Sequence, residues 1–355
     1  MREKVAWLAD PCHYAGRRRP VEIIETHFAW VFLTGTRAYK LKKPLRQGSM
    51  DYRTLALRER ACHEELRLNR RLAPEVYLRV VPLRRDRKGS LSLRAAAGSR
   101  VVDWLVQMRR LQAARMLDRV IAAGGLRPGD LDRLTATLAA FFKHARCRPL
   151  TDGAYRERLS REIRGNADEL CARDLGLSRG RIVSLCRAQL DFVSHDPRAL
   201  AGRGARLLDE HGDLRPEHVF LGTASARACV IDCLEFDRNL RRLDPAEELA
   251  FLALECARLG AVAAAQGLLA RYRRAAGDPA PPMLMHFYMS RRAAVRAQIA
   301  AWHLRDQAFV GEWRVWKARA HSYLADALRH MQCAAALQGR SCRGFAIQPA
   351  APPRA

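Results

Sequence analysis

Near position 108 the spacing of apolar residues changes, and that change limits what the chain can fold into more than any other feature. Before it, apolar residues come in short runs or alternations at 21–24, 30–33, 38–43, 76–83, 90–94 and 101–108. Runs this short, separated by Gly35 and by the polar stretch 84–89, suit strands joined by tight turns. One amphipathic helix interrupts them at 55–72, with Leu55, Cys62, Leu68 and Leu72 on its apolar side and Pro74 as its stop. After position 108 the spacing predicts helices at 111–123, 130–145, 155–170 and 179–195, then a short β region at 207–232. Further helices are expected at 245–257, 261–275, 282–304 and 312–331. The expected architecture is α+β: a β-rich lobe over 1–108, a larger helical lobe over 109–338, and a disordered Gly/Ser/Pro/Ala tail at 339–355.

With 355 residues, of which 49% are hydrophobic and 28% charged, the chain can bury a substantial core and is not of the disordered class. The ten cysteines show no CxxC pair, and Cys229 and Cys233 lack the matching second pair that a zinc site needs. Reduced thiols fit a cytoplasmic protein. Residues 1–12 contain no apolar run long enough for a signal peptide, and the apolar stretch 249–269 is interrupted by Glu255 and Arg258. It reads as buried core helix rather than a membrane span. The net charge of +26 has two readings: a compositional bias toward Ala and Arg, or attraction to an anionic partner such as a phosphorylated metabolite or nucleic acid.

The segment 207–236, LLDEHGDLRPEHVFLGTASARACVIDCLEF, carries the chemistry. Apolar residues 219–221 and 229–231 flank a polar turn at 223–227, a hairpin pattern. The loop 211–218 enters that hairpin and Asp232 leaves it, so Asp213, His218 and Asp232 are candidates for one cluster. Phosphoryl transfer needs such a set: one carboxylate orients the attacking hydroxyl and accepts its proton, and another holds the metal on the nucleotide phosphates.

HGDL at 211–214, followed by an apolar strand, a turn and Ile-Asp at 231–232, resembles the catalytic core of aminoglycoside phosphotransferases and their choline-kinase-like relatives. The stretches ETHFAWVFLTGTRAYKLKKPL (25–45), EELRLNRRLAPEVYL (64–78) and VIDCLEFDRNLRRLDPAEELAFLALE (230–255) are similar to a bacterial branch of uncharacterised kinase-like proteins. Some members of that branch carry a C-terminal P-loop ATPase domain, whose GxxxxGK(S/T) motif is not found in this sequence. The resemblance covers residues 20–330 and implies a protein-kinase-like two-lobe fold. The implied activity uses ATP with Mg²⁺ or Mn²⁺ to phosphorylate a hydroxyl of a small molecule. It also implies Asp213 as base within the loop begun by His211, Asp232 as metal ligand, and Lys40 as phosphate ligand, with Lys42 as the alternative. Glu65 is the implied partner of that lysine, with Glu64 as the fallback. The turn at 26–29, including Thr26, is placed over the phosphates, and Met108 at the adenine hinge.

Two features depart from that pattern. His218 stands where the family has an asparagine metal ligand, and imidazole suits Mn²⁺ or Zn²⁺ better than Mg²⁺. The turn at 26–29 has no glycine. Each residue alone also has a plain reading: lysines on an edge strand, glutamates among the arginines of a solvated helix face, or an aspartate in a turn. Asp244-Pro245 followed by Glu247 and Glu248 reads as a helix start stabilised by the dipole, with Asp244 placed to brace the loop. The arginines at 156, 158, 161, 164, 291, 292 and 296 argue against a polycationic acceptor. A degenerate kinase-like binding protein, or nucleotidyl transfer on the same scaffold, remains the alternative.

Overall fold

The computed structural model describes residues 1–14, 20–172, 176–195, 198–222, 227–304 and 311–338. The tail expected at 339–355 and most of the turn expected at 223–227 lie outside the described residues. In chain order, helix α1 (Arg2–Ala9) precedes strands β1 (Glu22–Glu25), β2 (Ala29–Leu33) and β3 (Arg37–Lys42). A small hairpin, β4 (Arg46–Gln47) and β5 (Met50–Asp51), leads into α2 (Leu55–Asn69). Strands β6 (Tyr77–Arg85), β7 (Leu91–Ser92) and β8 (Arg100–Arg109) follow. Helices α3 (Leu117–Ala122), α4 (Pro128–His144), α5 (Asp152–Cys171) and α6 (Arg179–His195) come next. Short strands β9 (Leu208–Asp209), β10 (Val219–Phe220) and β11 (Cys229–Val230) precede α7 (Arg238–Arg241) and β12 (Arg242–Leu243). Four long helices end the described residues: α8 (Pro245–Arg258), α9 (Val262–Ala276), α10 (Pro282–His303) and α11 (Trp313–Gln338).

These elements cluster into two units, one formed by 1–119 with 217–241 and the other by 120–216 with 242 onward. The first unit is built on a six-stranded antiparallel sheet in the order β1-β2-β3-β8-β6-β7. Side chains alternate across a strand, so the residues of β3 divide between two faces. Tyr39 and Leu41 pack with Leu8 of α1, Tyr14, Phe32, Leu83 and Leu105. Ala38 faces the opposite cluster, with Cys62 of α2, Tyr77, Val106, Met108 and the partly buried Cys229 and Ile231 of the β10–β11 hairpin. Lys40 and Lys42 follow Ala38 at two-residue steps and so share the face that α2 covers.

Helix α2 starts where Thr54 Oγ1 accepts the Leu57 amide at 3.2 Å. It ends three residues before the expected Leu72, because the amides of Leu72 and Ala73 turn back onto the Asn69 carbonyl at 3.1 and 2.8 Å. The helix expected at 111–123 is instead a 3-10 turn, Ala113–Arg115, followed by the short α3. The cause is non-local: extended Met116 bridges to Phe220, the Leu221 amide bonds Arg115 O at 3.0 Å, and Arg115 Nε bonds Gly222 O at 2.7 Å. Backbone groups satisfied by the hairpin are unavailable to a helix.

In the second unit, α8 is buried from Pro245 through Ala257. Asp244 caps it by accepting the Ala246 amide at 2.9 Å, and Pro245 takes the first helical position. The apolar stretch 249–269 is divided between α8 and α9 at Gly260, whose φ of +85° a side chain would strain. Helix α10 packs along α11, and Phe287 of α10 stacks on Phe192 of α6 at 4.4 Å. None of the described helices is long and apolar enough to cross a membrane.

Candidate active-site residues

In the first unit, five charged side chains from three segments form one ion cluster. Glu65 of α2, fully buried, bridges both lysines of β3, with Oε1 2.9 Å from Lys40 Nζ and Oε2 2.6 Å from Lys42 Nζ. Lys40 continues to Asp232 Oδ1 at 2.6 Å, and Lys42 to Glu235 Oε1. Lys42, 2% exposed, also lies 4.8 Å from the Tyr52 ring centroid, and the Tyr52 hydroxyl donates to Glu235. Glu64, the neighbour of Glu65, faces Arg67 at 2.6 Å instead. Burial alone would push both ammonium groups down. The carboxylates, Asp232 first for Lys40 and Glu235 first for Lys42, overcome it and hold both well above the ordinary lysine value.

Asp232 has a left-handed backbone, φ +64°, and is the one non-glycine residue with positive φ among the described residues. Its amide donates to the Tyr77 hydroxyl at 3.1 Å, and the next amide, of Cys233, donates to Asn69 Oδ1 at 2.9 Å. Asn69 Nδ2 is in turn held by the Glu65 carbonyl at 2.9 Å, so α2 fixes both the glutamate and the turn that carries Asp232. Buried Arg241 clamps the same segment through Leu234 O at 2.6 Å. Loss of hydration opposes ionisation of Asp232, but the charge of Lys40, then that of His218, holds its carboxyl below the usual range. His218 Nε2 stands 3.7 Å from Asp232 Oδ2, beyond hydrogen-bond length. The Asp232 side chain is 47% exposed. The half-exposed Asp232 carboxylate beside the His218 imidazole is a donor set that suits Mn²⁺ better than Mg²⁺.

Thr26 closes the turn between β1 and β2, its Oγ1 donating to Ala29 O at 3.0 Å and accepting from Ala29 N at the same distance. Met108, 8% exposed, pairs with Ala38 on one side and Tyr77 on the other.

His211 and Asp213 belong to the second unit, where Glu248 holds their loop. The amides of His211 and Gly212 donate to Glu248 Oε2 at 3.2 and 3.1 Å. Gly212 has φ +89°, which lets the loop turn tightly enough to present both. The Asp213 amide donates to His211 Nδ1 at 3.3 Å, and Arg215 Nη2 lies 2.9 Å from Asp213 Oδ2. Burial pushes Glu248 up to about 7, against the pull of Arg292 and the Gly212 amide. Below it, Asp244 accepts from Arg203 Nε at 2.6 Å and from the Tyr288 hydroxyl at 2.7 Å, while Arg203 also reaches Asp278 at 2.7 Å. Asp244 therefore anchors the start of the helix that carries Glu248.

Several of these residues escaped the sequence reading. Glu235 lies only three positions beyond Asp232, and its position after an apolar strand was a usable signal. Tyr52 carried none. Glu248 reads as a dipole-stabilising acid, yet it binds the loop backbone. Arg291 and Arg292, read as part of a basic field, are buried: Arg291 pairs with Glu162 at 2.9 Å and Arg292 with Glu247 at 3.1 Å. Arg158 likewise pairs with Glu162 at 2.7 Å.

An antiparallel sheet bearing a lysine–glutamate bridge to its helix, together with a helical unit carrying the HGDL loop, defines a protein-kinase-like α+β fold, the one found in aminoglycoside phosphotransferases and choline/ethanolamine kinase-family proteins. No family model matches the sequence. An uncharacterised protein of Mycobacterium tuberculosis is 34% identical over 290 residues, covering 79% of this chain and 54% of the relative. The chain thus spans about half the length of the curated relatives it matches. A choline/ethanolamine kinase family protein from Mesorhizobium loti superposes with a TM-score of 0.56 at 15% identity, covering 94% of this chain and 99% of that one. An aminoglycoside phosphotransferase of the APH(2") type, solved with GDP and kanamycin, gives 0.54 at 14% identity over 94% and 99% of the two chains.

Proposed function

We propose that this chain is a phosphotransferase that moves the γ-phosphate of ATP to a hydroxyl of a small molecule. The observation that carries this reading is Asp232: a strained, half-exposed carboxylate tied through Lys40 to a fully buried glutamate. Strain of this kind persists where function requires it. In the reaction, the acceptor oxygen forms a bond to the γ-phosphorus while the bond to the β–γ bridging oxygen breaks. The hydroxyl proton passes to Asp213, and a phosphate ester and ADP leave. Lys40, with Lys42 behind it, neutralises phosphate oxygens, and Glu65 keeps both lysines extended. The turn at Thr26 covers the phosphates, and Met108 lies at the adenine edge. Asp232, assisted by His218, would hold Mg²⁺ or Mn²⁺, and the metal would supply charge neutralisation to the nucleotide phosphates.

The test is γ-phosphate transfer from labelled ATP across a panel of hydroxyl compounds, with Asp213→Asn as the blank. Transfer that survives this substitution, or its absence under all metals tried, would sink the reading. A second reading is favoured by His218 in place of an asparagine ligand: a kinase-like protein that binds nucleotide or nucleic acid without transfer. Salt-dependent nucleic-acid binding that Asp213→Asn leaves unchanged would favour it.

A further inference from the structure

Near the loop of Asp213, the second unit holds an arginine with no close ion pair among the described residues. Helix α10 places Arg292 and Arg296 one turn apart on a shared face. Arg292 Nη1 reaches the carbonyl of Gly212, the residue before Asp213, at 3.5 Å, and its charge is met by Glu247 at 3.1 Å. Arg296 continues that face. Among the described residues it forms no ion pair, and its Nε is buried without a hydrogen-bond partner. Burial, then the charge of Arg215, oppose its ionisation, but Tyr323, Glu255 and Asp213 outweigh them and hold it above the ordinary arginine value. Its guanidinium lies 5.6 Å from the Tyr323 ring centroid, and Arg258 lies 3.7 Å from the same ring. Arg258 is matched by Asp326, and the Tyr323 hydroxyl donates to Glu255 at 3.0 Å. Arg215, with 15% of its side chain exposed, rests on Asp213 Oδ2. A buried guanidinium N–H with no acceptor is costly, and an incoming anion that accepts from it removes that cost.

We propose that Arg215 and Arg296 form the seat for a negatively charged group, phosphate or carboxylate, of the acceptor, with Tyr323 as its apolar wall. That the anion belongs to an acceptor rests on the phosphotransferase reading; the seat itself does not. When Arg215 exchanges Asp213 Oδ2 for the acceptor's anion, that carboxylate oxygen becomes available to the acceptor hydroxyl. A hydroxyl compound bearing its own anion is then presented to the base in one arrangement. Polycations such as aminoglycosides are disfavoured by the same charges.

The experiment measures binding of inorganic phosphate and of acetate by calorimetry, with the full chain, Arg296→Gln, Arg296→Lys and Lys40→Met. Phosphate or acetate affinity should fall about 10- to 100-fold in Arg296→Gln, the range for losing a charge-assisted contact. It should stay within a few-fold in Arg296→Lys and lose no Arg296-dependent component in Lys40→Met. Whichever probe binds more tightly identifies the anionic group. Equal affinity in Arg296→Gln, or no binding at tens of millimolar, overturns the seat. A γ-phosphate screen pairs each anionic hydroxyl compound with its neutral analogue and includes kanamycin. Faster transfer to neutral or cationic acceptors overturns the seat while leaving phosphotransfer intact. Arg296-dependent anion binding without transfer to any acceptor retains the seat and removes phosphotransfer.

Discussion

The ion cluster on β3 and the loop on α8 use buried charge in opposite ways. In the cluster, three carboxylates and two ammonium groups satisfy one another, and each lysine is shared between two acids. In the loop, one buried carboxylate grips two backbone amides, and arginines gather beyond it. A saturated cluster accepts a ligand only by exchanging one ion pair for another, as a phosphate oxygen would under the proposed reading by replacing Asp232 on Lys40. The loop instead fixes a backbone shape, on which Asp213 is held to Arg215. The first region gains affinity through exchange and the second gains geometry, a division suited to a reaction dominated by positioning.

The largest expected effect separates chemistry from structure. Asp213→Asn should lower γ-phosphate transfer by roughly 10²- to 10⁴-fold, the usual contribution of a general base, with the melting temperature nearly unchanged. A variant that retains activity would remove the loop from the comparison altogether. Lys42→Met should do the reverse to the cluster. It strands Glu235 in a buried site and leaves Glu65 with Lys40 alone; breaking such pairs costs about 3–5 kcal/mol, readable by urea unfolding. A loss below about 1 kcal/mol would mean that the cluster is not saturated as described.

The pH dependence should separate the two regions next. Lys40 and Lys42 are held above the ordinary lysine range, so their stabilisation is lost only as pH rises through those raised values. Asp232 and Glu235 are held below the carboxylate range, so theirs is lost only as pH falls through the depressed values. Across neutral pH the cluster is silent. Glu248 is raised from 4.5 to about 7, so its contribution is complete below pH 4.5 and is lost as pH rises through 7. That window is worth on the order of 3 kcal/mol. Glu248→Gln, which keeps the acceptor oxygen, should flatten unfolding free energy between pH 5 and 8; an unchanged slope would assign it elsewhere. The smallest effect belongs to Glu64→Ala. Its pair with Arg67 is an i,i+3 contact whose arginine is 55% exposed, and about 0.5 kcal/mol or less should be lost. A much larger loss would mean that buried Arg241, 3.9 Å from Glu64, depends on it.

What the sequence made legible follows from range. Long helices such as α6 and α10 announce themselves by apolar spacing, and α6 has the expected limits of 179–195. The two-residue step from Lys40 to Lys42 put both on one face, and both reach Glu65. Helix α1 was not foreseen: only Leu8 among its residues is buried, too little to set a period. The break at Met116 depends on a partner more than a hundred residues away, Phe220, which no local pattern can register. Arg291 and Arg292 look like surface charge until Glu162 and Glu247 are folded against them.

The left-handed turn at Asp232 has an evolutionary reading. Glycine there would relieve a strain of order 1 kcal/mol or more and, by that measure alone, make a better-behaved protein. On the proposed function, the aspartate is a residue that selection for stability would remove and selection for activity would keep. Asp232→Gly should raise the melting temperature if relief of strain outweighs the lost bond to Lys40, while abolishing transfer. In a lineage released from phosphotransfer, this is the position where decay would begin.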